Sequence, residues 1–407
     1  METKNQATHV AVIDGGVTVA RGFRAAGVHC GIKEQKKDLA LIVCDTLASA
    51  AGMFTTNAVR AAPVLVSQER IQSGAARAII VNSGNANACT GAEGLRDALE
   101  MTALTAQALG VAEEFVLVAS TGVIGIPLTM DAVRSGIPKA VSALSTESGP
   151  AAEAILTTDA FAKTAGVEVE IGGTAVTIGG MAKGAGMIHP QMATTLSFVT
   201  TDAVMPAPLL RKALRQAVNY SFNCISVDGD TSTNDSIFLL ASGLAGHPPI
   251  TEEGEEFDRF QTALTEVTTA LAKMVVRDGE GATKVVAVTV QGAPSTRDAK
   301  LAAQAVMTSP LVKTMLFGEE PNWGRMLAAV GRSGAAVVED RVAVWIAGVQ
   351  VVRRGVGISP NLSEAAEAMR APEFEIVIDL QQGSGGFTGW TSDLNDAYVK
   401  INAGYMS

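Results

Sequence analysis

The spacing of apolar residues along the chain predicts two long helices, each with one buried face. In two segments these residues recur every three or four positions, which is the period of a helix. The positions are Leu95, Ala98, Leu99, Ala106 and Leu109 in the first segment, and Phe257, Phe260, Leu264, Val267, Leu271 and Met274 in the second. Thr90–Glu93 resembles a capping box, and Gly110 is placed to end the first helix. Shorter helices are predicted near residues 208–219 and 297–308.

Short apolar runs and alternating patterns predict β-strands between these helices. Ala78–Val81 and Phe115–Val118 are continuous apolar runs of the length that suits buried strands. Apolar and polar residues alternate from Glu373 to Leu380, which is typical of a half-exposed strand. The mixture of helices and strands predicts an α+β fold with helices layered over sheets.

A pair of glycines near the middle of the chain predicts a β-hairpin. Gly172 and Gly173 separate Val167–Ile171 from Thr174–Ile178, and two glycines between strands favour a tight turn. The second strand leads into a glycine-rich segment, Lys183–Leu196. We therefore expect the sheet to end and the chain to bend there, which is a suitable place for a strained peptide bond.

Composition narrows the class of protein. The 407 residues are enough for one large or two ordinary domains, and we find no internal repeat or low-complexity tract. Hydrophobic residues make up 47% of the chain and aromatic residues only 4%, so the core must consist mainly of Ala, Val, Leu and Ile. The net charge of −10 argues against a nucleic-acid surface, although one local lysine could still bind a small anion.

Cysteine and histidine positions predict no metal site and no disulfide framework. Cys30, Cys44, Cys89 and Cys224 are scattered, and the four histidines show no spacing typical of metal ligands. We expect four reduced, mostly buried thiols in a cytoplasmic protein. No signal-peptide core or run of 18 apolar residues occurs, so we expect no membrane partner.

The Lys183–Leu196 segment carries the candidate chemistry. A threonine hydroxyl is a poor nucleophile unless an adjacent base removes its proton, and a free α-amine with a pKa of about 8 can be that base. Thr194 would gain such an amine if the bond between Ala193 and Thr194 were cut. Alternatively, the glycines of the segment simply mark a bend between strands.

The same segment is similar to the processing site of the ornithine acetyltransferase family, the glutamate N-acetyltransferases of arginine biosynthesis. Further similar segments occur in the same order along nearly the whole chain. They are Gly22–Lys33, Gly52–Ala58, Asn82–Gly91, Asp278–Lys284, Pro321–Arg325 and Tyr398–Ala403. Each segment is weak evidence alone, but together they are highly specific.

The resemblance implies a fold and a mode of maturation. It implies the α-β sandwich shared with the DmpA-type aminopeptidases, in which both cleavage products build one compact unit. Residues 1–193 would form the α chain and residues 194–407 the β chain, with Thr194 as nucleophile. Two chains of each kind would assemble into a heterotetramer.

The resemblance also assigns residues to the site. Thr121 and Gly122 match the family's oxyanion-hole positions, where a hydroxyl and a backbone N–H are suitable donors. The positions that match the family's substrate-binding residues, in addition to Thr194, are Thr157, Lys183, Glu280, Asn402 and Ser407. Because acetylornithine carries a carboxylate and a distant ammonium, Lys183 and Glu280 are the respective candidates to bind them.

Alternatives to the transferase remain open at the level of sequence. The implied reaction moves acetyl from N2-acetyl-L-ornithine to L-glutamate through acetyl-Thr194 and needs no cofactor. Some relatives also use acetyl-CoA as a co-substrate, and the sequence has no nucleotide-binding motif that decides this. An aminopeptidase of the DmpA type would use the same nucleophile with water as acceptor, whereas an uncut amino-acid-binding protein would remain one chain.

One histidine and three departures from the family pattern complete the expectations. His189 invites assignment as a general base, but we expect no catalytic role, because Thr194 would carry its own amine. Gln191, Thr195 and Gly404 stand where Asn, an apolar residue and Asp are frequent in the family. The first two positions bear on processing, and Gly404 bears on the C-terminal tail that would deliver Ser407.

Overall fold

The computed structural model describes residues 10–189 and 195–404. The strands within these ranges are β1 Val10–Ile13, β2 Phe23–Val28, β3 Leu39–Phe54, β4 Ala75–Asn85, β5 Val116–Val123, β6 Lys163–Ile171, β7 Thr174–Lys183, β8 Leu196–Thr201, β9 Ile225–Ser226, β10 Ser236–Ala241, β11 Val285–Ala293, β12 Ala343–Ile346, β13 Val349–Arg353, β14 Val356–Gly357, β15 Glu373–Asp379 and β16 Gly385–Ser392. The α-helices are α1 Ala62–Arg70, α2 Gly91–Leu109, α3 Met130–Ser142, α4 Gly149–Ala154, α5 Ala207–Tyr220, α6 Glu255–Arg277, α7 Thr296–Met307, α8 Pro310–Phe317, α9 Trp323–Gly331, α10 Leu362–Ala368 and α11 Asp396–Gly404. Helices and sheets pack against each other in layers, so the predicted α+β class is confirmed.

The larger sheet has the strand order β1-β6-β7-β8-β10-β3-β4-β5, and β2 pairs with β3. Its β8–β10 and β4–β5 pairs are parallel, while its other pairs are antiparallel. Lys183 at the end of β7 pairs with Leu196 at the start of β8, which pairs in turn with Ser236 at the start of β10. The end of β7 therefore lies in line with the starts of β8 and β10.

The predicted hairpin is present in this sheet. Strands β6 and β7 are antiparallel. Lys163 pairs with Ala182 at one end of the hairpin, and Ile171 pairs with Thr174 beside the turn. Gly172 and Gly173 have φ angles of 56° and 74°, and this left-handed pair is the geometry that favours glycine at both positions of the turn.

The second sheet has the order β14-β13-β12-β15-β11-β16-β9. Strand β15 contains the predicted alternation, with Ile376 and Ile378 buried and Glu373 and Glu375 exposed. Helix α6 contacts strands of both sheets and lies between them, while α7 packs on β11 and β16. The α6 positions predicted from periodicity are buried from Phe257 to Leu271, and Met274 is half-buried.

The prediction for the first helix was right about its start at Thr90 and its end, and wrong about the hydrogen bonds of its cap. Gly110 ends α2 with φ of 67°, as expected. The capping box does not form, because the Thr90 hydroxyl donates instead to Asn87 Oδ1 at 2.7 Å and caps no backbone N–H of the helix. The buried face is also rotated, since Leu95 and Leu99 are 39% and 41% exposed while Met101 is buried.

Candidate active site

One pocket brings together the predicted site residues that the structure describes. Thr121, Gly122, Thr157, Lys183, Glu280 and Asn402 all line it, and so do Thr195 and Leu196. Ala193, Thr194, Gln191 and Ser407 lie outside the described residues. The pocket thus adjoins Thr195, the residue that follows the predicted nucleophile in the chain.

The Thr121–Gly122 pair sits where two parallel strands end together. Gly122 on β5 lies opposite Gly84 on β4 and has φ of 135°. A Cβ atom at Gly122 would lie 2.3 Å from the Gly84 carbonyl carbon and 2.5 Å from the Asn85 nitrogen. Both the backbone angle and the close approach therefore require glycine at this position.

Lys183 contacts this pair directly. Its Nζ donates to Thr121 Oγ1 at 3.2 Å. A hydroxyl has one hydrogen to donate and two lone pairs to accept with. Because Thr121 accepts from Lys183, its own hydrogen remains available for a ligand in the pocket.

A buried network of ion pairs lies behind Lys183. Lys163 Nζ donates to Asp159 Oδ1 at 2.7 Å and to Asp278 Oδ2 at 2.5 Å, and Lys183 Nζ lies 4.0 Å from Asp159 Oδ2. Asp159 also accepts the Gly184 N–H at 2.7 Å. The network connects β6 and β7 to the end of α6 and fixes Lys183 at the pocket wall.

Burial and charge shift the pKa values of this network in opposing ways. Burial lowers the pKa of Lys183 below its ordinary value, although the carboxylates of Asp159, Asp235 and Glu280 oppose that effect. Burial would raise the pKa of Asp159, but the ammonium groups of Lys183 and Lys163 bring it below its ordinary value. Asp159 is therefore ionised, and it supports a charged Lys183.

Glu280 is held in place by the C-terminal helix. Asn402 on α11 donates from Nδ2 to Glu280 Oε2 at 2.7 Å, and the Glu280 N–H donates to the Ala185 carbonyl at 2.9 Å. A Cβ at Gly186 would lie 2.6 Å from the Glu280 carboxyl carbon, so glycine allows this carboxylate to approach. Glu280, predicted to bind substrate, thus contacts the glycine-rich bend at Ala185 and Gly186.

Thr157 faces the same pocket from the segment before β6. Its N–H donates to Asp159 Oδ2 at 2.9 Å and its hydroxyl lies 3.4 Å from the same oxygen. The hydroxyl oxygen keeps its lone pairs for a donor in the pocket.

The chain bends sharply after β7, as the glycine-rich segment predicted. Met187 has φ of 57°, a strained value for a residue with a side chain. The N–H groups of Met187 and Ile188 donate to the Asp228 carboxylate at 2.6 and 2.8 Å, and the Tyr398 hydroxyl lies 3.3 Å from Asp228 Oδ2. Asp228 therefore stabilises the bend that leads toward the predicted cleavage site.

His189 does not line the pocket in the part of the chain that the structure describes. Its Nδ1 lies 3.3 Å from Ser226 Oγ. Burial lowers the pKa of His189, so the ring is neutral near pH 7. The absence of a catalytic role for His189 stays a prediction.

Sequence reasoning missed an entire wall of the pocket. The segment between β9 and β10 supplies Asp228, Asp230, Ser232, Thr233, Asn234 and Asp235. The available signal was a run of acidic and hydroxyl residues between two apolar strands. Because such runs usually form solvated loops, the sequence alone did not indicate that this one faces a pocket.

Asp235 is the most unusual member of this wall. The residue is 3% exposed, and its Oδ2 has no hydrogen-bond partner in the described structure. Burial raises the pKa of Asp235 well above its ordinary value. The hydroxyl of buried Thr195, a position noted as a departure from the family pattern, also has no partner there.

The remaining expectations concern cysteines, metals and membranes. Cys44 and Cys224 are buried, but Cys89 is exposed and Cys30 only partly buried, so the expectation of mostly buried thiols was too broad. Among the described residues, no cluster of three or more His, Cys, Asp or Glu side chains could hold a metal ion. Within residues 10–189 and 195–404, no helix has the length and apolar character needed to cross a bilayer.

The fold and the pocket define an α+β protein with a polar site of mixed charge, and comparison with known proteins identifies its family. The chain belongs to the ArgJ family, whose model matches residues 24–407. The resemblance to the arginine-biosynthesis acetyltransferases is thereby confirmed.

Two relatives match nearly end to end. A protein of Symbiobacterium thermophilum is 52% identical over 397 residues, which cover 97% of this chain and 99% of that protein. A protein of Caldanaerobacter subterraneus is 48% identical over 401 residues, which cover 97% of this chain and 100% of that protein. Both are named arginine biosynthesis bifunctional protein ArgJ. A crystal structure of the protein of that name from Bacillus halodurans shares 46% identity with a TM-score of 0.44, covering 46% of this chain and all of its own.

Proposed function

We propose that the chain is a self-cleaving acetyltransferase of arginine biosynthesis, which moves acetyl from N2-acetyl-L-ornithine to L-glutamate through an acetyl-Thr194 intermediate. The observation that carries this proposal is the pocket itself. Six residues predicted from five separate segments line it, together with the chain neighbour of Thr194. The relatives, named arginine biosynthesis bifunctional protein ArgJ, support a role in arginine biosynthesis with two activities. For the second activity the proposed acetyl donor is acetyl-CoA.

Maturation is an internal acyl transfer. The Thr194 hydroxyl oxygen bonds to the Ala193 carbonyl carbon, the peptide C–N bond breaks, and the nitrogen takes the hydroxyl proton. Water then hydrolyses the ester, which frees the Ala193 carboxylate and restores the Thr194 hydroxyl. Residues 1–193 and 194–407 become two chains, and two of each assemble into a heterotetramer.

Acetyl transfer repeats this chemistry on the substrate. The free α-amine of Thr194 takes the hydroxyl proton while the oxygen bonds to the acetyl carbonyl carbon. The amide C–N bond then breaks, its nitrogen takes that proton, and ornithine leaves. The amine of glutamate then bonds to the acetyl carbonyl carbon and the ester C–O bond breaks. The Thr194 oxygen takes the proton that the amine loses, so that N-acetylglutamate is released and the hydroxyl is restored.

The pocket residues stabilise charge in both reactions. Each step passes through a tetrahedral oxyanion, for which the Thr121 hydroxyl and the Gly122 N–H are the donors. Lys183 donates to Thr121 Oγ1, which directs the hydroxyl hydrogen toward the pocket. The positive charge of Lys183 adds to the stabilisation of the oxyanion.

Substrate recognition needs one cation and one anion. Lys183 binds the α-carboxylate of acetylornithine or glutamate, and Glu280 binds the ornithine ammonium. Asn402 orients Glu280 through its 2.7 Å hydrogen bond. Thr157 and Ser407 complete the set of polar contacts.

Intact-mass spectrometry of the purified protein tests maturation. The proposal predicts two chains divided between Ala193 and Thr194, and a Thr194→Ala variant that remains one chain of 41.9 kDa without activity. Thr194→Ser is the matched control and should retain cleavage, because it keeps a hydroxyl and an α-amine. A fully active wild type that stays uncut would refute the proposal.

Acetylation assays with separate donors test the reaction. Glutamate should be acetylated with acetylornithine as donor, and with acetyl-CoA if the chain is bifunctional. Release of free amino acids from peptides without transfer to glutamate would favour the aminopeptidase instead. His189→Ala should leave cleavage intact, and failure to cleave would show that His189 takes part in maturation.

A further inference from the structure

We propose that Asn234 is a positioning residue. Its carboxamide holds the Thr121–Gly122 donor pair at a set position relative to the start of strand β8. This inference rests on the proposed function, since it concerns the oxyanion hole of the same reaction. Asn234 lies in the wall of the pocket that sequence reasoning missed.

The carboxamide of Asn234 has a partner at every polar atom. Its Nδ2 donates to the carbonyl oxygens of Ala86 at 2.6 Å and Ser120 at 2.8 Å, which uses both amide hydrogens. Its Oδ1 accepts the Thr233 hydroxyl at 2.7 Å. The side chain is buried, so the orientation of the amide is determined by these bonds rather than by solvent.

The two carbonyls belong to the elements that build the oxyanion hole. Ser120 directly precedes Thr121 on β5, and Ala86 follows the end of β4, which packs against Gly122. Without Asn234 both carbonyls would lose a donor in a buried environment. Ser120 would keep its pairing with Asn82 of β4 and the bond from its hydroxyl to Asn82 Oδ1 at 2.6 Å, but its carbonyl would have lost the donor on the side of the β9–β10 segment.

The backbone of Asn234 connects this support to the strand that follows the predicted nucleophile. Two residues after Asn234, the Ser236 N–H donates to the Thr195 carbonyl at 3.1 Å, and Ser236 pairs with Leu196. One short segment therefore contacts both the chain that carries the donors and the chain that enters β8. Displacement of reacting groups by about 1 Å can reduce a rate about 100-fold, so this connection bears directly on turnover.

The test is the variant Asn234→Asp, which keeps the shape of the side chain. It replaces the NH2 group and its two donated hydrogens with a carboxylate oxygen that faces the Ala86 and Ser120 carbonyl oxygens. We expect kcat for acetyl transfer to fall at least 10-fold at pH 8 with KM nearly unchanged. The rate should recover relative to wild type as the pH is lowered, because a protonated carboxyl again donates one hydrogen bond. The rate of self-cleavage, measured by intact mass, should follow the same pattern.

Wild type measured in parallel accounts for the other charged groups. Those that line the same pocket are Lys183, Asp228, Asp230, Asp235 and Glu280, and they are unchanged in the variant. Asn57→Asp is the matched control. Asn57 Nδ2 donates to the Thr231 carbonyl at 2.9 Å in the neighbouring segment but does not contact Ala86 or Ser120, so this variant should keep the wild-type kcat and pH profile.

The outcomes separate this inference from the proposed function. A wild-type kcat in Asn234→Asp, or a loss that is equal at every pH, would overturn the positioning role. If that variant fails to fold, Asn234→Ala is the second test, and an unchanged kcat there would overturn the inference. A wild type that neither cleaves nor transfers acetyl would refute the proposed function, whatever the variants do.

Discussion

The buried ion-pair network predicts a large loss of stability when its central cation is removed. Lys163 has 0% side-chain exposure and joins Asp159 and Asp278 at 2.7 and 2.5 Å. Its Nζ also lies 4.9 Å from the centre of the Phe161 ring. The substitution Lys163→Met keeps an unbranched side chain of similar length and removes only the charge and the donors.

The expected loss of unfolding free energy depends on the hydrogen bonds and charges that each aspartate retains in Lys163→Met. Asp159 retains the Gly184 N–H and the nearby ammonium of Lys183. Asp278 retains the hydrogen bond from the Ala160 N–H but loses its ion pair with the Lys163 ammonium. Removing one partner of a buried ion pair typically costs about 3–5 kcal/mol, and because Lys163 is fully buried, solvent does not screen the loss.

Denaturant unfolding of uncleaved protein is the appropriate assay. Both Lys163→Met and its control are made together with Thr194→Ala, so that unfolding does not involve separation of two chains. The control is Lys400→Met. Lys400 pairs with Asp396, and the two side chains are 77% and 71% exposed, so this variant should leave the stability nearly unchanged. The deficit of Lys163→Met should shrink at low pH, because a protonated carboxyl is less unfavourable to bury.

A small effect would refute this reasoning. If Lys163→Met loses less than about 1 kcal/mol at neutral pH, the network does not behave as a buried ion-pair system. A double variant, Lys163→Met with Asp278→Asn, should recover part of the loss, since the unpaired carboxylate is then also gone. An additive loss in the double variant would show that the two groups do not interact.

Two further predictions concern the pocket. Gly122→Ala should reduce acetyl transfer at least 10-fold, because its Cβ would lie 2.3 Å from the Gly84 carbonyl carbon, whereas Gly149→Ala, which meets nothing within 4 Å, should leave the rate unchanged. Asp235→Asn should raise the melting temperature at neutral pH, and this gain should disappear below the ordinary aspartate pKa of about 4. The sign follows from the raised pKa of Asp235: the folded state binds its proton more tightly, so wild-type stability falls as the pH rises through the pKa of the folded protein. Equal melting temperatures at every pH would contradict this, and an undiminished rate in Gly122→Ala would contradict the first prediction.

Much of the fold could be predicted because its signals are local. The period of apolar residues in α6, the two glycines of the β6–β7 hairpin and the alternation in β15 each depend on backbone preferences within a few residues. The predicted capping box does not form, because the Thr90 hydroxyl donates to Asn87 in the loop that precedes the helix. That contact depends on the fold of the loop and not on the helix sequence. Local patterns thus predict elements well and hydrogen-bond partners less well.

In the candidate site, too, some residues could be predicted from local motifs and others could not. Short motifs were enough to predict the glycine-rich bend and to single out Thr121, Gly122, Lys183 and Glu280 as candidate site residues. The folded arrangement, and no local motif, brings Asp159, Lys163 and Asp278 into one buried network and places Asn234 against two carbonyls more than 100 residues away in the chain. Those contacts depend on strand order and register in the larger sheet, which are set by packing of the whole core and not by any neighbouring residues.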